Sequence, residues 1–264
     1  CTSSEEVTRY YEAILQGSIS IVTPNKKANS GSFEKYQLLK NTAFKRGVKF
    51  LYETNVGAGL PVINTLNDLI LSGDKVIRIE AVLSGTLNFI FSSFAEGTKF
   101  SDVVKDAKAK GYTEPDPRDD LNGMDVARKI LILSREAGSA MELTDIKVEN
   151  LVPESCRGDM GIDQFFTELT KHDNTFEKLR KTAADKKEKL RYMAVLENGI
   201  VKIQLATVNE QHPFYSLAGS DNIILLTTAR YHDRPMVIRG PGAGAEVTAA
   251  GVFADVIRIG HYAK

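Results

Sequence analysis

The sequence predicts an α/β chain, in which helices and strands alternate early and strands follow one another closely near the end. Three observations carry this. The β-branched runs "SISIVT" and "VKFLYET" are separated by a capped helical stretch, and a crossover of that length implies parallel βαβ units. The runs "LRYMAVLEN", "IVKIQLATVN", "DNIILLTTARY" and "PMVIRG" stand at hairpin-like spacing, which suits a mixed or antiparallel sheet. Between these regions "ILIL" (Ile130 to Leu133) is apolar on all sides, which marks a buried helix.

The elements follow in order. "SSEEVTRYYEAILQG" opens with serines and two glutamates, continues with helical apolar spacing, and stops at Gly17, a suitable C-terminal cap. "SISIVT" is the first strand, "SGSFEKYQLLKNTAFKRG" a second capped helix, and "VKFLYET" the second strand. After the "NVGAGLP" turn come a helix ("VINTLNDLILSG"), a strand ("VIRIEAVLS") and helices through "TLNFIFSSFAEG" and "FSDVVKDAKAKG". Another helix begins near Asp119. Beyond Gly138, "DQFFTELTKHDNTFEKLRKTAADKKEK" reads as one long charged helical stretch with a solvated face, ahead of the late strands. "GPGAGAEVTAAGVFADVIRIG" is a glycine loop leading into a last helix. Cys1-Thr2-Ser3-Ser4 reads as the loop leaving a strand, so the chain is expected to begin in mid-fold.

The 264 residues are enough for one large domain or two ordinary ones. Basic and acidic residues balance at 34 each, so no whole-chain field draws in nucleic acid or an anionic membrane. Cys1 and Cys156 are too few for a disulfide framework, and His172, His212, His232 and His261 form no paired ligand motif. A reducing cytoplasm is the expected compartment. No apolar run approaches the roughly 18 residues that a membrane span needs, and the N-terminus has no signal pattern.

The chemistry gathers in "GYTEPDPRDDLNGMDVARK", Gly111 to Lys129. Asp125 and Lys129 are four apart and share one face of a helix. That spacing alone describes a surface ion pair. The apolar residues that follow point instead to a buried helix, where a lysine among carboxylates is expensive without a purpose. A functional site is therefore expected, with burial and charge tuning the lysine as a proton donor or acceptor. The prolines of "TEPDPRDD" would present Glu114 and the aspartates as a rigid acidic loop suited to a substrate ammonium, or as a capped, solvated turn. "GPGAG" before a helix suits a phosphate or is simply a turn. "TPNKKA" places Lys26 just beyond a strand, at the edge where open α/β sheets bind ligands. In "ETNVGAGLP", Glu53 and a glycine-rich bend could converge on a hard cation, or Glu53 could cap the next helix.

Taken together and in order, "TPNKKA", "ETNVGAGLP", "SGTLNFI", "GYTEPDPRDDLNGMDVARK" and "GPGAGAEVTAAGVFADVI" closely resemble homoserine dehydrogenase over essentially the whole chain. "GSDNIILLTTARY" and "RPMVIRGPGAG" are most similar to the dehydrogenase half of bifunctional aspartokinase/homoserine dehydrogenases, which implies a possible fused aspartokinase. The resemblance implies reversible NADP- or NAD-dependent interconversion of L-homoserine and L-aspartate 4-semialdehyde. It implies that Lys129 moves the proton, with Asp125 and Glu114 also catalytic. Glu114, Asp120, Asp125, Tyr112, Thr86, Gly85 and Lys26 match substrate-binding positions. Thr2, Lys26 and Gly244 match cofactor contacts. Glu53 matches a sodium ligand, completed by the carbonyls of Val56, Ala58 and Leu60.

The implied architecture is the remnant of a Rossmann-type nucleotide-binding domain over residues 1–55, an α+β dimerisation and catalytic domain with a mixed sheet over 56–240, and a loop and helix over 241–264 that return to the nucleotide-binding part. A homodimer is implied. The family's glycine fingerprint and ribose selector are absent from these residues. The chain therefore reads as a truncated piece, expected to fold and dimerise but to turn over little alone, and the choice between NADP and NAD is not legible. The rival expectation is a non-catalytic oligomerisation or regulatory piece that keeps the substrate pocket; intact Lys129, Glu114 and Asp125 oppose it. A semialdehyde dehydrogenase would need a nucleophilic cysteine in the pocket, and Cys156 lies in no suitable motif.

Overall fold

The computed structural model describes residues 4–262. A 3-10 turn (Val7–Tyr10) runs into helix α1 (Tyr11–Gln16), which ends at Gly17 as predicted. Strand β1 (Ile21–Val22), helix α2 (Phe33–Arg46) and strand β2 (Phe50–Leu51) form the predicted parallel βαβ unit. Ser32 caps α2 by accepting from the Lys35 N–H, and Gly47 ends it in the left-handed region at φ 67°. The strands are shorter than the runs that predicted them. At Thr23 the chain is drawn into side-chain bonding: its hydroxyl meets that of Tyr11 at 2.8 Å, and its carbonyl accepts from Asn55 Nδ2 at 3.0 Å.

A 3-10 turn at Glu53–Asn55 leads to α3 (Ile63–Leu71), β3 (Val76–Val82), α4 (Gly85–Ser93), α5 (Phe100–Ala109), α6 (Pro117–Leu121) and α7 (Met124–Glu136). There follow β4 (Lys147–Val148), α8 (Ile162–Leu169), α9 (Asp173–Asp185), β5 (Lys189–Glu197), β6 (Ile200–Val208), β7 (Asp221–Thr228), β8 (Met236–Pro241) and α10 (Ala245–Tyr262). The late strands make a six-stranded mixed sheet in the order β4-β6-β5-β3-β7-β8. Strand β3 sits inside it, antiparallel to both β5 and β7, while β4 adds the parallel edge beside β6.

Two helical expectations need correction. The stretch from Asp163 is not one helix: α8 and α9 are joined by a 3-10 turn at Thr170–His172. The helix expected from Asp119 is also two, α6 and α7, broken at Asn122-Gly123.

One face of the sheet, with Ile79, Ala81, Tyr192, Ala194, Ile203, Ile224 and Leu226, joins the main core beneath the helices. Helix α7 packs on β5 and β6, and α4 on β5 and β7. On the other face Val82, Met193, Ile223 and Leu225 pack with Phe214 and Leu217 in a smaller cluster. Helix α10 returns to the turn at 53–55 and to β1. Among the described residues no helix is long and apolar enough to cross a membrane.

Candidate active site

The site grows from the break before α7. Gly123 has φ 75°, and a Cβ there would lie 2.1 Å from the Tyr192 hydroxyl. Only glycine both adopts this turn and lets the helix start so close to β5. The Met124 N–H donates to Asn122 Oδ1 at 2.8 Å, satisfying one of the exposed donors of the first turn. Val126, Ala127 and Ile130 to Leu133 then bury α7, which leaves Asp125 and Lys129 one turn apart at its N-terminal end.

Lys129 is 9% exposed. Its ammonium contacts Asp125 Oδ2 at 2.7 Å and donates to the Leu83 carbonyl, just past β3, at 2.7 Å. The second Asp125 oxygen, Oδ1, meets Lys26 at 3.0 Å. Lys26 comes from the loop after β1. Its carbonyl accepts from the Ser30 N–H and hydroxyl at 2.9 and 2.8 Å, and the Ser30 hydroxyl also accepts from Arg128 of α7 at 3.3 Å. One carboxylate therefore bridges two ammonium groups from elements distant in sequence. Burial alone would push the Asp125 carboxyl up, but Lys129 and Lys26 together hold it well below the usual carboxylate range. It stays ionised at neutral pH, and the edge of its side chain that faces solvent, 47% accessible, favours the charged form as well.

Beside this triad lies a second group. Asp120 Oδ2 accepts the Glu114 N–H at 2.8 Å. The Thr86 hydroxyl donates to the Tyr112 carbonyl at 2.6 Å and lies next to the Asp120 carboxyl. Burial raises the Asp120 pKa, and the charges of Glu114 and Asp125 add to the rise. A cation placed here relieves that repulsion, which is the chemistry of ammonium binding. Gly85 starts α4, where a Cβ would come within 2.8 Å of the Ser220 carbonyl. Tyr112 is 45% exposed and its ring lies 4.7 Å from that of Phe89. Glu114 is exposed at the rim, without a direct contact to Lys129 or Asp125.

The remaining predicted positions divide. Glu53, read as a cation ligand, uses its carboxylate to cap α3: Oε1 accepts the N–H groups of Val62 at 2.8 Å and Ile63 at 2.6 Å, and Oε2 accepts that of Asn64 at 2.9 Å and its side-chain amide. The four orphan donors of a helix start explain this choice. Burial raises the Glu53 pKa despite those bonds, and Asp255 raises it further. Val56 and Ala58 are buried in the following bend, where Gly57 and Ala58 both have positive φ, and the Leu60 carbonyl accepts from the Val62 N–H at 2.9 Å. Gly244 has φ 123° just before α10, far in sequence from Lys26. Thr2 lies outside the described residues. Among the described residues there is no cluster of three or more His, Cys, Asp or Glu suited to a metal. Cys156 is fully buried, and burial pushes its thiol up, the opposite of an activated nucleophile.

The sequence reading missed the Leu83 carbonyl and Asn222, whose amide reaches that same carbonyl. A backbone acceptor has no residue signature. Asn222 had one: a polar residue opening the apolar run "NIILL".

Comparison with known proteins places the chain in a family. The homoserine dehydrogenase family model matches residues 61–257. The chain is 48% identical over 264 residues to a chloroplastic bifunctional aspartokinase/homoserine dehydrogenase of Zea mays, covering 99% of this chain and 29% of that protein. It is 45% identical over 266 residues to homoserine dehydrogenase of Schizosaccharomyces pombe, covering 98% of this chain and 71% of that one. A hyperthermophilic archaeal homoserine dehydrogenase solved with NADPH superposes with a TM-score of 0.76 at 25% identity, over 99% of this chain and 70% of that one. The chain thus spans less than a third of the length of its bifunctional relatives.

Proposed function

The chain belongs to the homoserine dehydrogenase family, and from that premise we propose that the full-length protein carrying it interconverts L-homoserine and L-aspartate 4-semialdehyde with NADP or NAD. The observation that carries this reading is the single Asp125 carboxylate held between Lys26 and Lys129, beside the acidic Asp120 and Glu114 pair.

In this reading Lys129 moves the proton at the substrate oxygen. Toward homoserine, its ammonium gives a proton to the aldehyde oxygen as the carbonyl becomes an alcohol. Toward the semialdehyde, the neutral amine takes the hydroxyl proton. The nicotinamide, when bound, supplies or accepts the hydride at the same carbon. Asp125 aims the lysine. Asp120 and Glu114, lined by Thr86, Gly85 and Tyr112, hold the substrate ammonium. Lys26 sits between the substrate and the cofactor side, where Gly244 and the start of α10 offer backbone donors to a phosphate; Thr2 completes the proposed contacts.

Sodium at the bend after β2 fits only in part. The carbonyls of Val56, Ala58 and Leu60 are hard oxygen ligands, but both Glu53 oxygens are engaged by the α3 start. A homodimer through the sheet face that carries the smaller cluster is supported by the half-exposed Val237, set on β8 beside β7, with Arg78 and Glu197 paired on the neighbouring strands.

The test is a substrate comparison with the full-length protein and NADP: L-homoserine against 4-hydroxybutyrate, which lacks the amino group. Oxidation of homoserine and near loss with the des-amino compound is the expected result. Equal oxidation of both would remove the ammonium site.

A further inference from the structure

Asn222 is the second residue of β7 and is fully buried. Its Nδ2 donates to the Leu83 carbonyl at 3.3 Å, the carbonyl that also accepts from Lys129 at 2.7 Å. Its Oδ1 is buried with no partner. The orientation follows from chemistry, since the reverse would set two acceptors against each other. The amide N–H is therefore the part of Asn222 that engages the Leu83 carbonyl.

Its surroundings hold it there. A Cβ on Gly242 would fall 2.0 Å from the Asn222 Cγ, so the amide occupies the space of any side chain at that position of the glycine loop. On the other side Asn88 Nδ2 donates to the carbonyls of Gly219 at 3.0 Å and Asp221 at 3.1 Å, tying the start of β7 to α4.

We propose that Asn222 is a positioning residue for Lys129, holding the Leu83 carbonyl through the proton-transfer cycle so that the lysine can exchange it for the substrate oxygen. A carbonyl oxygen accepts two hydrogen bonds. With Asn222 on one lone pair, departure of Lys129 leaves no bare buried acceptor. Without Asn222 the carbonyl depends on the lysine alone and restrains it. This rests on the reading of Lys129 as the proton-transfer group.

The experiment uses the full-length protein with Asn222→Ala, Gly242→Ala, Lys129→Ala and the combinations of the first two with the third. kcat and KM for L-homoserine are measured at saturating nucleotide, with melting temperatures alongside. The expected result is a fall in kcat of about tenfold or more for Asn222→Ala and for Gly242→Ala, with the homoserine KM moving less than about threefold. On the Lys129→Ala background neither should lower kcat further, because both act through that lysine. A purely structural role would add its own factor on that background. If Asn222→Ala does not fold, Gly242→Ala carries the same comparison. Turnover within about threefold of the parent, or a further loss in the combinations, overturns the proposal. Undiminished turnover of Lys129→Ala alone would instead overturn the reading it rests on.

Discussion

Lys26 and Asp125 meet at 3.0 Å, joining the loop that leaves β1 to the first turn of α7. This contact ties the end of α7 that carries Lys129 to a residue from the parallel βαβ unit. Lys26→Met should leave Asp125 paired with Lys129 alone and lower kcat/KM for homoserine by about 10- to 100-fold. Steady-state kinetics of the full-length protein read this directly, and an unchanged kcat/KM would show that the contact does not serve the reaction.

Asp125→Ala should damage both kinetic terms. The variant leaves two ammonium groups without their shared counter-charge, so the lysine loses its aim and the pocket gains repulsion toward a substrate ammonium. A rise in KM together with a fall in kcat of about 10²-fold or more is expected. A loss confined to KM would make Asp125 a binding group only.

Glu53 supplies a stability prediction. It caps α3 through backbone donors of Val62, Ile63 and Asn64, so Glu53→Ala should lower unfolding free energy by about 1 to 2 kcal/mol, the scale of a lost helix cap. Urea unfolding measures it. A second variant tests the sodium question: a cap predicts that any sodium dependence of turnover survives in Glu53→Gln, whereas its abolition would return the carboxylate to the cation.

A buried network gives a pH prediction. Glu136, near the end of α7, accepts from the hydroxyls of Tyr36 at 2.7 Å and Tyr52 at 2.5 Å and pairs with Lys40 at 3.0 Å. Burial opposes its charge, but Lys40 and the two hydroxyls win and hold the carboxyl below its usual range. Both tyrosines are correspondingly pushed up, by burial first and by the Glu136 charge next. A lowered folded-state pKa adds stability that is complete above the unfolded value, near 4.3 for glutamate, and is lost as pH falls through the folded value. Glu136→Gln should therefore lower stability at neutral pH and flatten its decline below about pH 4.5. An unaltered decline would place the acid sensitivity elsewhere.

What the sequence made legible is what local pattern decides. The βαβ unit followed from β-branched runs and from the caps Ser32 and Gly47, and the late strands from their spacing. The break before α7 was missed although Asn122-Gly123 is a local turn signal; what further demands glycine there, the Tyr192 hydroxyl brought up by β5, comes much later in the chain. The place of β3 inside the late sheet was hidden for the same reason: its partners, β5 and β7, come much later in the chain. At the site, the Asp125–Lys129 pair could be read from helical spacing, and the resemblance supplied Lys26, but only the fold shows that both lysines share one carboxylate. Glu53 had two readings until the α3 donors were seen to converge on it.

The most direct test of the central claim is single-turnover kinetics of Lys129→Ala in the full-length protein, with homoserine binding measured separately. A proton-transfer lysine predicts a chemical step slower by about 10²- to 10⁴-fold with substrate affinity nearly intact. A chemical step within about threefold of the parent would contradict the account.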